Sequence, residues 1–277
     1  MRLIAFYEGV YLPSHEIQDN SNLQFRVKIK RFSEWLERDA ELSDFNVETL
    51  NQYMAHRLSM VAPATVNTER CALVSLWNYA GDVGLCQYPQ ARRLMKVDLR
   101  KLPVRGYTFS DLTSLLAVAN ALTGRFRNRT IERSLFWRAY ILTAYDTGLQ
   151  CGELLLLRAA DVTETAIRIT KPKRVIEAPI SHSAAMAIAE LKCDPSGLVF
   201  GFLSRRSFFE AYEQLREAAG VEGTSKFIRR ASCSAIESVS PGRGRVHAKH
   251  SQRTSFDNHL RDDRLVAEQP PMLPPRF

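Results

Sequence analysis

Between residues 135 and 161 the chain runs an apolar stripe into a glycine turn and out into a second apolar run. Leu135, Phe136, Tyr140, Ile141 and Leu142 recur at helical spacing up to Asp146-Thr147-Gly148-Leu149. Gln150-Cys151-Gly152 follows, then Glu153-Leu154-Leu155-Leu156-Leu157-Arg158, closing at Asp161-Val162. The pattern predicts two helical segments that meet at a tight turn. With 277 residues, 45% of them hydrophobic and 25% charged, the chain is long enough for two domains with buried cores and is no disordered tail.

Other segments predict a mainly α fold with a small antiparallel β-sheet (α+β). Phe25, Ile29, Phe32 and Leu36, then Leu50, Tyr53, Met54 and Leu58, repeat at three and four residues. A longer helix is expected from Pro63 and Thr65, with Val66, Leu73, Trp77 and Ala80 on one face and Gly84-Leu85 as its stop. Ser110-Asp111-Leu112 opens another helix, and helices resume from Ser183 and from Ser204. Ile167, Ile169, Val175, Ile176 and Ile180 flank Lys171-Pro172-Lys173-Arg174, which predicts a hairpin. Arg261 to Phe277, with four prolines in its last eight residues, is expected to form an extended or docking tail.

The net charge of +8 fits a polyanionic partner, and its distribution says more than its sum. Arg92, Arg93, Lys96, Arg100, Lys101 and Arg105 stand against Asp98 alone. A second segment, Thr224 to Arg253, carries Lys226, Arg229, Arg230, Arg243, Arg245, Lys249 and Arg253 against Glu237. The alternative for either block is a solvated surface. The five cysteines are scattered and lack metal or redox spacing, so they are expected to be reduced core thiols, with no metal and no cofactor. Without an eighteen-residue apolar run or a signal-like N-terminus, a cytoplasmic, nucleoid-associated protein with no membrane partner is expected.

The box from Asp146 to Asp161 resembles the most diagnostic motif of the tyrosine recombinase (phage integrase) family. The segment Pro63-Ala64-Thr65-Val66-Asn67-Thr68-Glu69-Arg70, leading into Leu73 to Ala80, looks like that family's core-binding domain. The resemblance implies a helical DNA-clamp domain over 1–102, an integrase-like catalytic domain over 103–260, a tail over 261–277 and a basic connector between the domains near Arg92 to Arg105. It also assigns the active-site positions. The first family arginine falls on Gln150, with Glu153 as the bracing acid. The hairpin lysine, a general acid in the family, falls on Lys171, eight residues before Pro179. His-x-x-Arg falls on Lys226 and Arg229, and the Gly-His-Ser element on Lys249-His250-Ser251, which places the nucleophile at His259.

Three of these positions depart from the family pattern. Gln150 brings no charge, Lys226 is a poor proton shuttle near neutral pH, and no tyrosine occurs after Tyr212. Lys171, Lys173, Arg174, Arg229 and His250 remain as candidate DNA contacts, beside the block from Arg92 to Arg105. Arg230 is expected to face elsewhere as a surface charge. Three functions follow. The first is a DNA-binding relative that has lost strand cleavage and acts as a regulator, accessory or architectural factor on double-stranded DNA, as a homo-oligomer or with a partner recombinase. The second is an active recombinase of a mobile element, using His259 or a partner's nucleophile. The third is a protein-interaction scaffold.

Overall fold

A computed structural model describes residues 1–99, 103–126, 131–171, 174–201, 204–249 and 253–268. The chain divides into two compact units, Met1–Lys101 and Leu102–Phe277. Among the described residues no helix is long and apolar enough to cross a membrane, and no group of His, Cys, Asp and Glu is arranged to hold a metal ion.

The first unit is all α. Its helices are α1 (Leu3–Phe6), continued by a π-helical turn over Tyr7–Tyr11, α2 (Asp19–Leu36), α3 (Val47–Leu58) and α4 (Pro63–Asp82). Asn46 caps α3 by accepting from the Thr49 amide, and Pro63 opens α4, where a missing N–H costs nothing. Gly84 ends the helix in the left-handed region at φ 74°, and the Leu85 amide returns to the Ala80 carbonyl. Phe32, Tyr53, Val66, Leu73, Leu76 and Ala80 form the core, so the three- and four-residue repeats mark the inward faces.

One acid is buried in that core. Glu69 accepts from Arg57 Nε at 2.9 Å, Arg31 Nη1 at 2.9 Å and Tyr53 Oη at 3.1 Å. Burial opposes its ionisation, yet these donors hold its carboxyl below the usual range, so a paired charge bridges α2, α3 and α4. The basic run that follows α4 is stitched down. Asn51 Oδ1 accepts from the Met95 amide at 2.7 Å, Arg70 Nε donates to the Met95 carbonyl at 3.0 Å, and Leu94 is buried. Arg92, Arg93 and Lys96 are left exposed on this anchored backbone.

The second unit comprises α5 (Phe109–Ala121), α6 (Arg133–Thr147), α7 (Cys151–Leu154), β1 (Ala166–Lys171), β2 (Arg174–Pro179), α8 (His182–Glu190), α9 (Arg205–Ala218), α10 (Lys226–Val239), α11 (Arg243–His247), α12 (Arg253–His259) and α13 (Asp263–Glu268). Thr108 caps α5 through a reciprocal box with Asp111, two residues earlier than the expected start at Ser110. Ser181 and Ser204 cap α8 and α9. The strands pair antiparallel with Ile169 opposite Ile176 and Ile167 opposite Ala178, all four buried, as period-two alternation requires. Residues 172 and 173 between the strands lie outside the described residues.

The expected apolar stripe of α6 proves to be a helix buried nearly all round, from Phe136 to Tyr145, with Trp137 fully enclosed among Phe208, Tyr212 and Phe136. Residues 261–268, set apart in sequence as the start of the tail, pack into this unit. Asp262 Oδ2 accepts from the Gly106 amide at 2.8 Å, and Leu265 is buried in the core. The cysteines depart from expectation at Cys71, which is exposed because Leu73, Leu76 and Trp77 take the inward face of α4; Cys233 is buried and the other three are half-buried.

Gly148 ends α6 at φ 56°. The His247 ring lies against it, so that a methyl group added at Gly148 would sit 2.6 Å from His247 Nε2. That ring is fixed in turn. Ser232 Oγ lies 2.8 Å from His247 Nε2 and donates its own proton to the Tyr145 carbonyl, so His247 Nε2 carries the proton it shares with Ser232. Burial, reinforced by the charges of Lys249 and Arg229, pushes the His247 imidazole down to about 4.

Gly148→Ala is expected to cost about 2–4 kcal/mol in unfolding free energy, since it adds a collision with a held ring to the left-handed penalty. Gly220→Ala, at φ 64° with nothing within 4 Å of the new methyl, should cost only about 1 kcal/mol; calorimetry on both variants reads the difference. His247 gives a second expectation. Its folded value lies below its unfolded value, so the unfolded chain takes up the proton first, and stability present above pH 6.5 is lost as pH falls toward 4. Relative to His247→Gln, the wild-type protein should lose on the order of 2–3 kcal/mol more across that window. Denaturation curves at stepped pH would show parallel losses if the imidazole were already charged in the fold.

Candidate nucleic-acid interface

The turn fixed by Gly148 presents Gln150 and α7 to one side of the second unit. There a cavity of about 660 Å³ is lined by Gln150, Arg205, Phe209, Lys226, Arg229 and His259, together with Leu149, Cys151, Gly152, Thr224, Ser225 and Leu260. No carboxylate lines it among the described residues. Four of the six family positions inferred from sequence, Gln150, Lys226, Arg229 and His259, therefore share one cavity although they lie up to 109 residues apart.

Beneath this cavity lies Glu153, nearly fully buried. Its Oε2 accepts from the Gln150 amide at 2.9 Å, and its Oε1 meets Lys171 Nζ at 2.7 Å and Arg174 Nη2 at 3.1 Å. Arg229 Nη1 stands 3.9 Å from Oε2. Burial raises the carboxyl and its donors, Lys171 first, more than offset it, so the group is held below the ordinary glutamate range as an anion. Lys171 and Arg174 thus face a protein carboxylate, and neither lines the cavity. The structure brings Lys171 to the Glu153 side of the site, while His250 and Lys173, like Arg100 and Lys101, lie outside the described residues.

Arg229 is 6% exposed and gives two of its five donors to backbone carbonyls. Nη1 donates to the Gly148 carbonyl at 2.6 Å and Nη2 to the Ala248 carbonyl at 2.7 Å. Desolvation lowers its affinity for the proton, with Glu153 acting the other way. Lys226 differs. One turn earlier on α10, it has no hydrogen bond or ion pair among the described residues, and its ammonium is lowered from the ordinary lysine value by desolvation and by its neighbours Arg230 and Arg229. An ammonium in that setting attracts any anion that relieves the repulsion.

Arg230 corrects the expectation of a surface charge. Its Nε donates to the His259 carbonyl at 3.0 Å and its Nη1 to the Arg105 carbonyl at 2.9 Å, with the guanidinium over the Phe227 ring. It ties the end of α12 to the entry of the unit, because a planar guanidinium can satisfy two carbonyls at once. The second basic block is accordingly not one surface: Arg229 is buried, Arg230 is a staple, and Arg253 pairs with Glu237 at 3.5 Å and Asp257 at 3.6 Å. Arg105 remains exposed.

Arg205, Phe209 and His247 carry no motif signal and were not singled out in the sequence. Only the serine cap at Ser204 places Arg205 at the first turn of α9, and nothing local says that α9 faces Gly152.

No protein-family profile matches the chain, and no curated protein matches it. Solved structures do. Lambda integrase residues 75–356, crystallised as a dimer bound to a COC′ core site, superposes with a TM-score of 0.73 at 16% identity, covering 98% of this chain and 97% of that one. The Tn1549 transposon integrase with a circular-intermediate DNA gives 0.70 at 12% identity, covering 94% and 95%. The XerH site-specific recombinase on palindromic difH substrate gives 0.65 at 15% identity, covering 88% and 77%. Identities this low speak for architecture alone, and over nearly its whole length this chain has the fold of the tyrosine recombinases.

Proposed function

We propose that the protein binds double-stranded DNA through its sugar-phosphate backbone, with the cavity of the second unit as a phosphate site, and that it does not cut the strand. One observation carries the reading. The cavity gathers Lys226 and Arg229 with no acid in its lining among the described residues, while Gln150 and His259 stand where the resemblance puts the first arginine and the nucleophile. Binding a phosphate needs positive charge and donors; cleaving it also needs an attacking group and proton transfer. In this reading Lys171 and Arg174 act by fixing Glu153 and the Gln150 amide. The exposed Arg92, Arg93, Lys96 and Arg105 add sequence-blind contacts whose strength falls with salt. Dimerisation on DNA, as in the lambda integrase complex, belongs to the same proposal, as does a role as regulator or accessory factor.

Strand transfer through His259 has one observation in its favour, the presence of that imidazole in the same cavity. Two measurements separate the readings. In fluorescence-anisotropy titrations the protein should bind duplex DNA at low salt, and Lys226→Gln should lower the slope of log K against log salt by about 1. With nicked suicide duplexes no covalent adduct should persist on a denaturing gel. An adduct that disappears in His259→Ala would establish the enzyme, and wild-type protein that binds duplex at no salt concentration would leave only the scaffold.

A further inference from the structure

Arg205 is the cavity's third cation, and the resemblance to recombinases assigns it nothing. It opens α9 and packs across the bare backbone of Gly152. A methyl group added at Gly152 would lie 3.6 Å from both the guanidinium carbon and Nη2 of Arg205, and 3.8 Å from Nη1. The guanidinium also sits over the Phe209 ring, 6.0 Å from its centroid. Arg205 is thereby oriented by carbon and ring contacts alone, and among the described residues it has no hydrogen bond or ion pair. Its charge reaches the neighbouring residue: burial pushes the Cys151 thiol up, and a hydrogen bond with Tyr140 and the Arg205 charge only partly offset it. Gly152 lies two residues beyond Gln150, and both line the same cavity as Arg205.

We infer that Arg205 supplies the phosphate-binding charge that Gln150 lacks, reaching from α9 into the place where a guanidinium at position 150 would act. The inference rests on the proposed reading of the cavity as a phosphate site. Its chemistry is simple. A guanidinium presents up to five N–H donors in a plane, those of Arg205 are uncommitted among the described residues, and a phosphate oxygen in the cavity would complete them. Arg229, by contrast, has given two donors to carbonyls.

The test uses the full chain, a fluorescein-labelled duplex and titrations at several salt concentrations. Arg205→Gln should weaken binding roughly ten-fold and lower the salt slope by about 1. Arg206→Gln removes the same charge one residue away, where Arg206 is exposed and paired with Glu210, and should change binding little. Installing Gln150→Arg in the Arg205→Gln protein should restore most of the lost affinity, while in the wild-type background it should add less. If Arg205→Gln matches Arg206→Gln while the wild-type protein binds DNA, the inference fails and the DNA reading stands. If Arg205→Gln weakens binding and Gln150→Arg does not restore it, the exchange of charge between the two positions is refuted. Wild-type protein that binds no duplex removes both.

Discussion

The second unit is organised around a guanidinium that should be difficult to bury. Arg229 reaches from α10 to the carbonyl of Gly148, where α6 ends, and to the carbonyl of Ala248, just past α11. An unpaired charge in such a place would cost several kcal/mol. Two acceptors near 2.7 Å and the Glu153 carboxylate at 3.9 Å make the arrangement tolerable. Because the Gly148 carbonyl leads directly into Leu149 and Gln150, the same bonds that satisfy the arginine set where the cavity's wall begins. The residue that the resemblance assigns to phosphate is therefore first a fastener of three segments. Loss of DNA binding on replacing it would confound folding with recognition, and for that reason Lys226 and Arg205, both exposed, are the informative positions.

Glu153 and His247 support the same turn by opposite means. Glu153 keeps its charge against burial because Lys171, the Gln150 amide and Arg229 favour the anion, whereas His247 gives up its charge because burial and two nearby cations oppose it. A neutral imidazole can lie against Gly148 and share a proton with Ser232; an imidazolium there would add a third positive group beside Arg229 and Lys249. Charge in this region is thus partitioned. Negative charge is held below the cavity, positive charge lines it, and the group between Gly148 and Ser232 is kept neutral.

Much of the framework was legible in the chain. The inward faces of α2, α3 and α4, the hairpin, the glycine turn at 148 and the serine cap at 204 follow from local periodicity and capping chemistry, which act over a few residues. The shared cavity of Gln150, Lys226, Arg229 and His259 was legible only through the family pattern, since no spacing rule links residues so far apart. What escaped was the set of partners that are not side chains. Arg230 looks like a surface charge because its acceptors are the carbonyls of Arg105 and His259, and a carbonyl carries no residue identity to read. Arg205 escaped for a related reason: its neighbour is the absence of a side chain at Gly152, 53 positions earlier.

An anion site and a proton-transfer site on this scaffold would depend on protonation in different ways. A lysine at position 226 stays a cation at neutral pH unless its value falls by several units, and a bound phosphate would raise it again, so an anion site tolerates a lysine there. Proton transfer does not. It needs a group whose affinity for the proton lies near the working pH and which is free to reach the reacting oxygen, and the Lys171 ammonium is paired with the buried Glu153 carboxylate at 2.7 Å. Electrostatic attraction varies smoothly with the position of a charge and can move from one helix to the next. An attacking hydroxyl must stand in line with the phosphorus within an ångström or so, and no shift of charge between elements can replace it.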